Sequence, residues 1–246
     1  MIESGALDVT IVIPAFNEAL RLPNTLTALS EWIAGRPEVV EVIVVDDGST
    51  DSTAELSIDY PSMHFESLPA NAGKGAAVRR GMLLATGDLI LMMDADLATP
   101  MSEFDRLADV VRGGADVAIG SRPLRSSTLA VRQPVLREFA GRVFNFIVQL
   151  VSGLPFKDTQ CGFKLWRSRV AKECFGLCKV DGFAFDVEAL VVAKALGYTI
   201  VEVGVKWAHQ PGAAAFTSAT SYVRHACRMI IDTIAIRWNH KATSRV

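Results

Sequence analysis

The chain has 246 residues, of which half are apolar and 21% are charged, and its formal net charge is −2. This composition excludes a disordered or fibrous chain and suits a single unit spanning residues 1–246, with closely joined halves at 1–120 and 121–246. There is no basic, apolar leader and no run of about 18 apolar residues, so neither secretion nor a membrane span is expected. The four cysteines have no paired spacing, which favours reduced thiols in a cytoplasmic setting.

The first 120 residues alternate strand and helix signals. Short apolar strands are predicted at Val9–Pro14, Val39–Val45, Met63–Leu68, Leu89–Met93 and Asp116–Gly120, with helices over 18–34, 76–85 and 101–113. This alternation predicts an α/β fold in which helices flank a mostly parallel central sheet. Ligands of such a sheet are expected beyond the carboxyl ends of its strands.

The C-terminal half is expected to add apolar and amphipathic helices. An apolar helix is predicted over 135–151 and a basic helix over 222–238. The second helix carries an apolar stripe formed by Val223, Cys227, Ile230, Ile234 and Trp238. Such a stripe can pack on the sheet, which is its commoner fate, or lie in a membrane interface. Both interpretations stay open.

The charges are unevenly distributed along the chain. Residues 1–120 carry 7 basic and 19 acidic side chains, whereas residues 121–180 carry 11 basic and 3 acidic ones. A basic surface in the second segment could attract an anionic lipid head group, a lipid phosphate or nucleic acid, and a merely solvated basic face is an equal alternative. No nucleic-acid partner is expected, because the aromatic residues of this segment lie in apolar helical surface rather than between basic residues.

Two carboxylates directly follow the apolar run Leu89–Met93, in the sequence Asp94-Ala95-Asp96 before a turn at Pro100. Hard oxygen ligands at the end of a buried strand suit Mg²⁺ or Mn²⁺, which can bridge substrate phosphates. The alternative interpretation is a polar turn with solvated acids.

Three further loops follow strand ends and are expected at the same sheet edge: Pro14–Glu18, Asp46–Ser49 and Gly73–Gly75. Glu18 and Asp46 could accept hydrogen bonds from a nucleoside, and Lys74 could contact phosphate oxygens. The glycines on either side of Lys74 would permit close backbone approach. The spacing matches neither the dinucleotide-binding fingerprint nor the Walker A loop.

Taken in order, the motifs form a specific series: Val12–Glu18, Val44–Asp51, Asn71–Gly75, Asp94–Asp96 and Gly120–Arg122. This series resembles a family 2 glycosyltransferase with the nucleotide-sugar-binding GT-A fold. The later stretches Asp158–Leu165, Phe185–Glu188 and Val203–Trp207 are similar to dolichyl-phosphate glucosyltransferases and bacterial polyprenyl-phosphate sugar synthases.

The resemblance implies inverting transfer of a hexose from a nucleotide diphosphate sugar to a polyprenyl monophosphate at the cytoplasmic face of a membrane, with the protein bound peripherally. The preferred donor is UDP-linked glucose or an N-acetylhexosamine such as N-acetylgalactosamine, with Mg²⁺ or Mn²⁺ as cofactor. Because the acceptor phosphate is already ionised, catalysis can rest on positioning and on charge stabilisation, and no general base is named.

The resemblance also implies roles for individual residues. Asp94 and Asp96 would be catalytic and would bind the metal. The donor would be bound by Pro14, Phe16, Glu18, Asp46, Asp47, Lys74, Asp94, Ala95, Asp186 and Glu188. The lipid phosphate would be held by Arg122, Arg132 and Arg137.

Ala98 departs from the mannosyl-transferring relatives, in which a Gln at this position helps to ligate the metal. The departure is closer to the glucosyl-type pattern.

Two alternative functions remain. One is a glycosyltransferase with a soluble or polysaccharide acceptor, which would need a base such as Asp186 or Glu188. The other is a non-catalytic nucleotide-binding scaffold. Trp207 lies in an alternating strand-like segment, which favours packing over the alternative of stacking on a sugar.

Overall fold

A central sheet organises the computed structural model, which describes residues 8–124, 128–131, 145–208 and 219–240. Its strands are β1 (Val9–Ala15), β2 (Val40–Asp46), β3 (His64–Ser67), β4 (Leu89–Met93), β5 (Val117–Ser121), β7 (Phe163–Arg167) and β8 (Ile200–Gly204). They form a seven-stranded sheet in the order β3-β2-β1-β4-β7-β5-β8. A separate parallel pair joins β6 (Thr128–Val131) to β9 (Lys206–Ala208).

Most neighbouring strands are parallel, as predicted. β1 pairs in parallel with β2 and β4, β2 with β3, and β5 with β8. β7 is the exception, because it runs antiparallel between β4 and β5. The sequence pattern predicts no strand there. The start of β7 lies at the edge where β4 ends, since Phe163 pairs with Met93.

Helices cover both faces of the sheet, as predicted for a buried parallel sheet. They are α1 (Leu22–Ala34), α2 (Lys74–Leu84), α3 (Phe104–Arg112), α4 (residues 145–152), α5 (Ser168–Leu177), α6 (Phe185–Ala195) and α7 (Ala219–Asn239). Side chains of β1 alternate between the faces: Ile11 and Ile13 pack in the core beneath α1 and α3, and Val12 packs beneath α2, α5 and α6.

Two helix starts differ from the sequence prediction. α1 begins at Leu22 rather than at residue 18, with Pro23 in its first turn, where the fixed proline φ is favourable. The preceding Asn17 has a φ of 55° and belongs to the loop. α2 begins at Lys74, two residues earlier than predicted, because the Asp181 carbonyl accepts hydrogen bonds from Gly75 N at 2.7 Å and Ala76 N at 3.3 Å.

The predicted C-terminal helix is present as α7, but no described residue of its apolar stripe is buried. The buried positions of the described part of α7 are Met229, Thr233 and Ile236, followed by His240. Within the stripe, Ile234 is 45% exposed and Trp238 is 71% exposed. The predicted helix over 135–151 lies partly outside the described residues, and α4 is its described part.

Candidate active site

Asp94 and Asp96 lie at the carboxyl edge of the sheet, directly after β4. Asp94 N donates to the Gly162 carbonyl at 3.0 Å, so the loop before β7 holds this turn. Asp96 Oδ1 accepts a hydrogen bond from Ala98 N at 3.0 Å. Burial and then the negative charge of Asp94 raise the pKa of Asp96. The turn thus holds two carboxylates, of which Asp96 is harder to ionise because it is buried beside Asp94.

Lys74 supplies a cation to this turn. Its Nζ lies 2.6 Å from Asp94 Oδ1, and its side chain is 28% exposed. Burial alone would lower the pKa of Lys74, but attraction from Asp94, Asp186 and Asp96 outweighs it, so the pKa is raised. Lys74 therefore stays charged and can meet an anion that approaches Asp94.

Asp186 lies below this cluster in the first turn of α6. Its Oδ1 accepts a hydrogen bond from Lys164 Nζ at 2.5 Å, and the lysine also donates to the Cys161 carbonyl at 2.6 Å. Both side chains are almost fully buried. Burial raises the pKa of Asp186, against the opposing attraction of Lys164 and Lys74. Asp186 and Lys74 attract each other, so Asp186 lies near the cluster to which the sequence analysis assigned it.

The predicted donor-binding residues from β1 and β2 converge on the same edge. Pro14 is buried in β1, and Phe16 just beyond it is 36% exposed. The Glu18 carboxylate pairs with Arg21, with Nε at 2.7 Å from Oε2. Ala95 is buried between the aspartates, and its carbonyl accepts a hydrogen bond from Thr25 in α1.

Asp46 and Asp47 end β2 and are both buried. Asp46 accepts hydrogen bonds from Ser49, through the backbone N and the hydroxyl. Asp47 accepts from Ala72 N at 2.8 Å and from Gly73 N at 2.9 Å. Burial raises the pKa of Asp47. The two carboxylates therefore stabilise the loops at 46–49 and 71–73, which lie at this edge of the sheet.

Arg122 follows β5 and forms a bidentate ion pair with Asp158. Arg122 Nε lies 2.7 Å from Asp158 Oδ2, and Nη2 lies 2.8 Å from Oδ1. Burial opposes ionisation of Asp158, but Arg122 outweighs it and holds the pKa of this carboxyl below its usual value. The guanidinium of Arg122 also lies 5.6 Å from the ring centroid of Trp207. Arg132 and Arg137, the other predicted lipid-phosphate ligands, lie outside the described residues.

Glu188 is not brought together with these residues. Its Oε2 accepts hydrogen bonds from Lys179 N at 2.9 Å and Val180 N at 2.7 Å. Its Oε1 lies 3.0 Å from His240 Nε2. The carboxylate is buried, and these contacts join α6 to the backbone at 179–180 and to His240. A donor-binding role for Glu188 stays a prediction.

Three residues that the sequence analysis does not assign to the site contribute to it. Gly162 packs directly on Asp94, since a Cβ at this position would lie 1.9 Å from Asp94 Oδ2. Lys164 is the buried partner of Asp186. Trp207 is half-buried and helps to line a small pocket beside Asp94. The other lining residues are Met93, Leu97, Ala98, Thr99, Gly162 and Phe163.

Two absences apply to the described part of the chain. No cluster of three or more His, Cys, Asp or Glu side chains there is arranged to hold a metal ion. None of its helices is both long and apolar enough to cross a membrane.

The class of this protein follows from residues 10–175, which match the model of glycosyl transferase family 2. The chain belongs to this family, has the GT-A fold and is a glycosyltransferase. The expectations for fold class and enzyme class are confirmed.

Among curated relatives, the dolichyl-phosphate beta-glucosyltransferase of Dictyostelium discoideum is 34% identical, with coverage of 94% of this chain and 74% of its own length. The protein of the same name from Drosophila melanogaster is 37% identical, over 85% of this chain and 70% of its own length. Glucosyl-3-phosphoglycerate synthase from M. tuberculosis, solved with Mn²⁺ and UDP-glucose, has a TM-score of 0.66 at 21% identity, over 93% of this chain and 79% of that one. At this identity the structural likeness shows the fold.

Proposed function

We propose that this protein transfers glucose from UDP-glucose to a polyprenyl monophosphate, with inversion at the anomeric carbon. The proposal is carried by the cluster of Lys74, Asp94 and Asp96 at the sheet edge, in a chain more than 30% identical to dolichyl-phosphate beta-glucosyltransferases. An acceptor phosphate oxygen attacks the anomeric carbon while the bond from that carbon to the diphosphate breaks, so UDP leaves with the bonding electrons.

A divalent cation fits the donor set of Asp94 and Asp96. Two carboxylates supply hard oxygen ligands. Burial and then the negative charge of Asp94 raise the pKa of Asp96, and a bound cation would favour its ionised form. The diphosphate and water would complete the coordination shell, as Ala98 offers no ligand. Bound Mg²⁺ or Mn²⁺ would act as a Lewis acid that stabilises charge on the departing diphosphate.

Lys74 adds a second positive charge for the diphosphate. In the absence of donor, Lys74 is paired with Asp94, and its side chain is partly exposed. A phosphate oxygen that binds beside Asp94 can therefore replace Asp94 as its partner. A charge positioned before the reaction stabilises the leaving group with little reorganisation.

The acceptor side is proposed to lie at Arg122 and Trp207. Trp207 lines the pocket beside Asp94, and the Arg122 guanidinium lies 5.6 Å from the centroid of its ring. The Arg122 side chain is 32% exposed, and two of its nitrogens, Nε and Nη2, donate to Asp158. Its remaining N–H groups can bind a phosphate, while Asp158 fixes the orientation of the guanidinium. Arg122→Ala should therefore raise the KM for polyprenyl phosphate more than the KM for the donor. Steady-state kinetics with each substrate varied would test this, and a selective rise in the donor KM would contradict it.

The buried carboxylates disfavour the alternative with a sugar hydroxyl as acceptor. That reaction needs a general base, for which Asp186 and Glu188 are the predicted candidates. Glu188 is occupied by two backbone N–H groups and His240, and Asp186 is held by Lys164. A phosphate acceptor needs neither residue as a base.

Membrane contact is proposed through the exposed apolar side chains of α4 and α7. Phe146 and Leu150 are 63% and 71% exposed, and Trp238 is 71% exposed. The two helices are adjacent, because Arg237 Nη1 donates to the Val151 carbonyl at 2.9 Å. A cytoplasmic location with peripheral attachment is part of this proposal.

Vesicle sedimentation tests the membrane contact. The double variant Ile234→Ser/Trp238→Ser should bind phosphatidylserine-containing vesicles less than wild type, and salt should weaken wild-type binding. Val39→Ser is the matched control, because Val39 is 70% exposed just before β2, at the opposite edge of the sheet from the site. Wild-type protein that stays soluble with these vesicles at low salt would refute the contact.

The transfer reaction is tested with purified protein, Mg²⁺ or Mn²⁺, and a panel of labelled UDP- and GDP-sugars, offered with polyprenyl phosphate or with soluble 3-phosphoglycerate. Label from UDP-glucose should move into organic solvent with the lipid. Transfer of an N-acetylhexosamine or of mannose would overturn the sugar assignment. Transfer to phosphoglycerate alone would overturn the acceptor assignment.

A further inference from the structure

Glu188 makes an unusually complete set of contacts for a carboxylate that no step of the proposed reaction uses. It is 1% exposed, and both oxygens have partners. Oε2 accepts the N–H groups of Lys179 and Val180, and Oε1 accepts from His240 Nε2, since a carboxylate can only accept. His240 directly follows α7. One side chain of α6 thus ties the end of α7 to the loop at 178–182.

That loop packs backbone to backbone on the start of α2. The Asp181 carbonyl accepts from Gly75 N at 2.7 Å, and the Asp181 carboxylate pairs with Arg79 at 2.6 Å. A Cβ on Gly73 would lie 2.4 Å from the Asp181 carbonyl oxygen, and one on Gly75 would lie 2.4 Å from the Val180 carbonyl oxygen. Such spacing leaves no room for a side chain. Both glycines are therefore required by this packing, whereas the sequence pattern predicts that they admit a ligand.

Lys74 lies between these two glycines, at the first position of α2. Its backbone position is therefore set by the loop at 178–182, and its Nζ reaches Asp94 from there. We infer that Glu188 is a positioning residue for Lys74: it fixes the loop that fixes the start of α2, and so places the ammonium group for the donor diphosphate. This inference rests on the proposed function, because it takes Lys74 as the diphosphate ligand.

The length of the Glu188 side chain, rather than its charge, should determine whether the loop at 178–182 and Lys74 keep their positions. Glu188→Asp keeps the charge but shortens the reach to Lys179 and Val180. Glu188→Gln loses the charge, but its amide oxygen can still accept both N–H groups, and its NH₂ can donate to His240 Nε2 once the imidazole proton sits on Nδ1 instead. Because a misplacement of about 1 Å can cost about 100-fold in rate, Glu188→Asp should weaken UDP binding and raise the donor KM by at least about 10-fold. Glu188→Gln should restore both to within about twofold of wild type.

The experiment measures UDP binding in the presence of Mn²⁺ by calorimetry, together with donor KM, kcat and the unfolding temperature of each variant. Glu41→Ala is the control: Glu41 lies at the start of β2 and accepts hydrogen bonds from Thr10 and Thr86, far along the strand from the site. A variant that is merely destabilised should lose active protein, with UDP affinity and donor KM unchanged, as expected for Glu41→Ala.

The possible outcomes are distinct. Impaired UDP binding in Glu188→Asp with rescue in Glu188→Gln supports the inference. Wild-type UDP affinity in Glu188→Asp, or an impaired Glu188→Gln beside an intact Glu188→Asp, overturns it. A wild-type protein that binds no UDP refutes the proposed function itself, whereas one that binds UDP but transfers no sugar to lipid refutes only the proposed acceptor.

Discussion

Replacing Asp96 by Asn separates the charge of this residue from its structural role. Asp96 Oδ1 accepts one hydrogen bond, from Ala98 N at 3.0 Å, and an amide oxygen can accept the same bond. The turn after β4 should therefore keep its conformation. The lost property is negative charge, which burial and Asp94 already disfavour in the folded protein, as the raised pKa of Asp96 shows.

The direction of the stability change follows from that pKa. A carboxyl group whose pKa rises on folding makes the folded state less stable as the pH increases through the raised pKa, because the folded state holds the proton more tightly than the unfolded state. At a pH above its raised pKa, the ionised Asp96 thus destabilises the protein without metal or nucleotide. Asp96→Asn should raise the unfolding temperature under these conditions, and the difference from wild type should shrink as the pH falls through the pKa of Asp96.

Activity should change in the opposite direction. Loss of one group that stabilises developing charge costs about 100-fold in kcat, or about 2.7 kcal/mol of transition-state stabilisation. Asp96→Asn should lose at least this factor in glucose transfer to polyprenyl phosphate, and calorimetry should show weaker Mn²⁺-dependent UDP binding. Asp105→Asn is the control, because Asp105 pairs with Arg36 on the surface of α3. Wild-type turnover in Asp96→Asn, or full wild-type activity in excess chelator, would refute the metal assignment.

Two further substitutions test the support of the site. Gly162→Ala should displace the Asp94 carboxylate and reduce kcat by at least about 10-fold, whereas Gly176→Ala, whose Cβ meets nothing within 4 Å, should leave kinetics unchanged; wild-type kcat in Gly162→Ala would contradict the close packing. Lys164→Met should lower the free energy of unfolding by about 3–5 kcal/mol in denaturant titrations, because it leaves Asp186 buried without its cation; adding Asp186→Asn should recover part of this loss, and an additive second loss would contradict the pairing.

The donor edge of the sheet is predictable from sequence because each polar loop follows an apolar run. The predicted strand Leu89–Met93 has the same bounds as β4 in the structure, and Asp94 directly follows it. In a parallel sheet the carboxyl ends of strands share an edge, so separate loops can be brought together without knowing the strand order. This reasoning locates Lys74 near Asp94, and the 2.6 Å contact between them confirms the proximity.

β7 could not be predicted in the same way, because its character depends on distant partners. Lys164 interrupts the apolar pattern of Phe163–Arg167, and a lysine in a short strand normally indicates a solvent-facing position. Here the lysine is 1% exposed, since Asp186 and the Cys161 carbonyl satisfy its ammonium group. A buried ion pair between residues 164 and 186 has no signature in local periodicity. The contribution of Gly162 to the site follows from β7 and is missed with it.

Charge counting over 121–180 does not show which side chains are paired within the fold. Several basic side chains of this segment are used inside the fold: Lys164 binds Asp186, Arg122 binds Asp158, and Arg167 donates to the carbonyls of Ala115 and Val111. At these three positions, positive charge counted in the sequence is bound within the fold. A count of charges gives the net field of a segment, but not which charges reach solvent.

The two faces of α7 show a limit of hydropathy itself. Periodicity identifies the most apolar face of a helix and favours burying it, yet the face that packs in the fold carries Thr233 and His240 beside Met229 and Ile236. Those polar groups are satisfied, because Thr233 Oγ1 donates to the Met229 carbonyl and His240 pairs with Glu188. The more apolar face, which includes Trp238, is left exposed. A helix that packs through its more polar face leaves its apolar face available for another apolar surface. A membrane interface is such a surface, and it is also where a polyprenyl acceptor would be found.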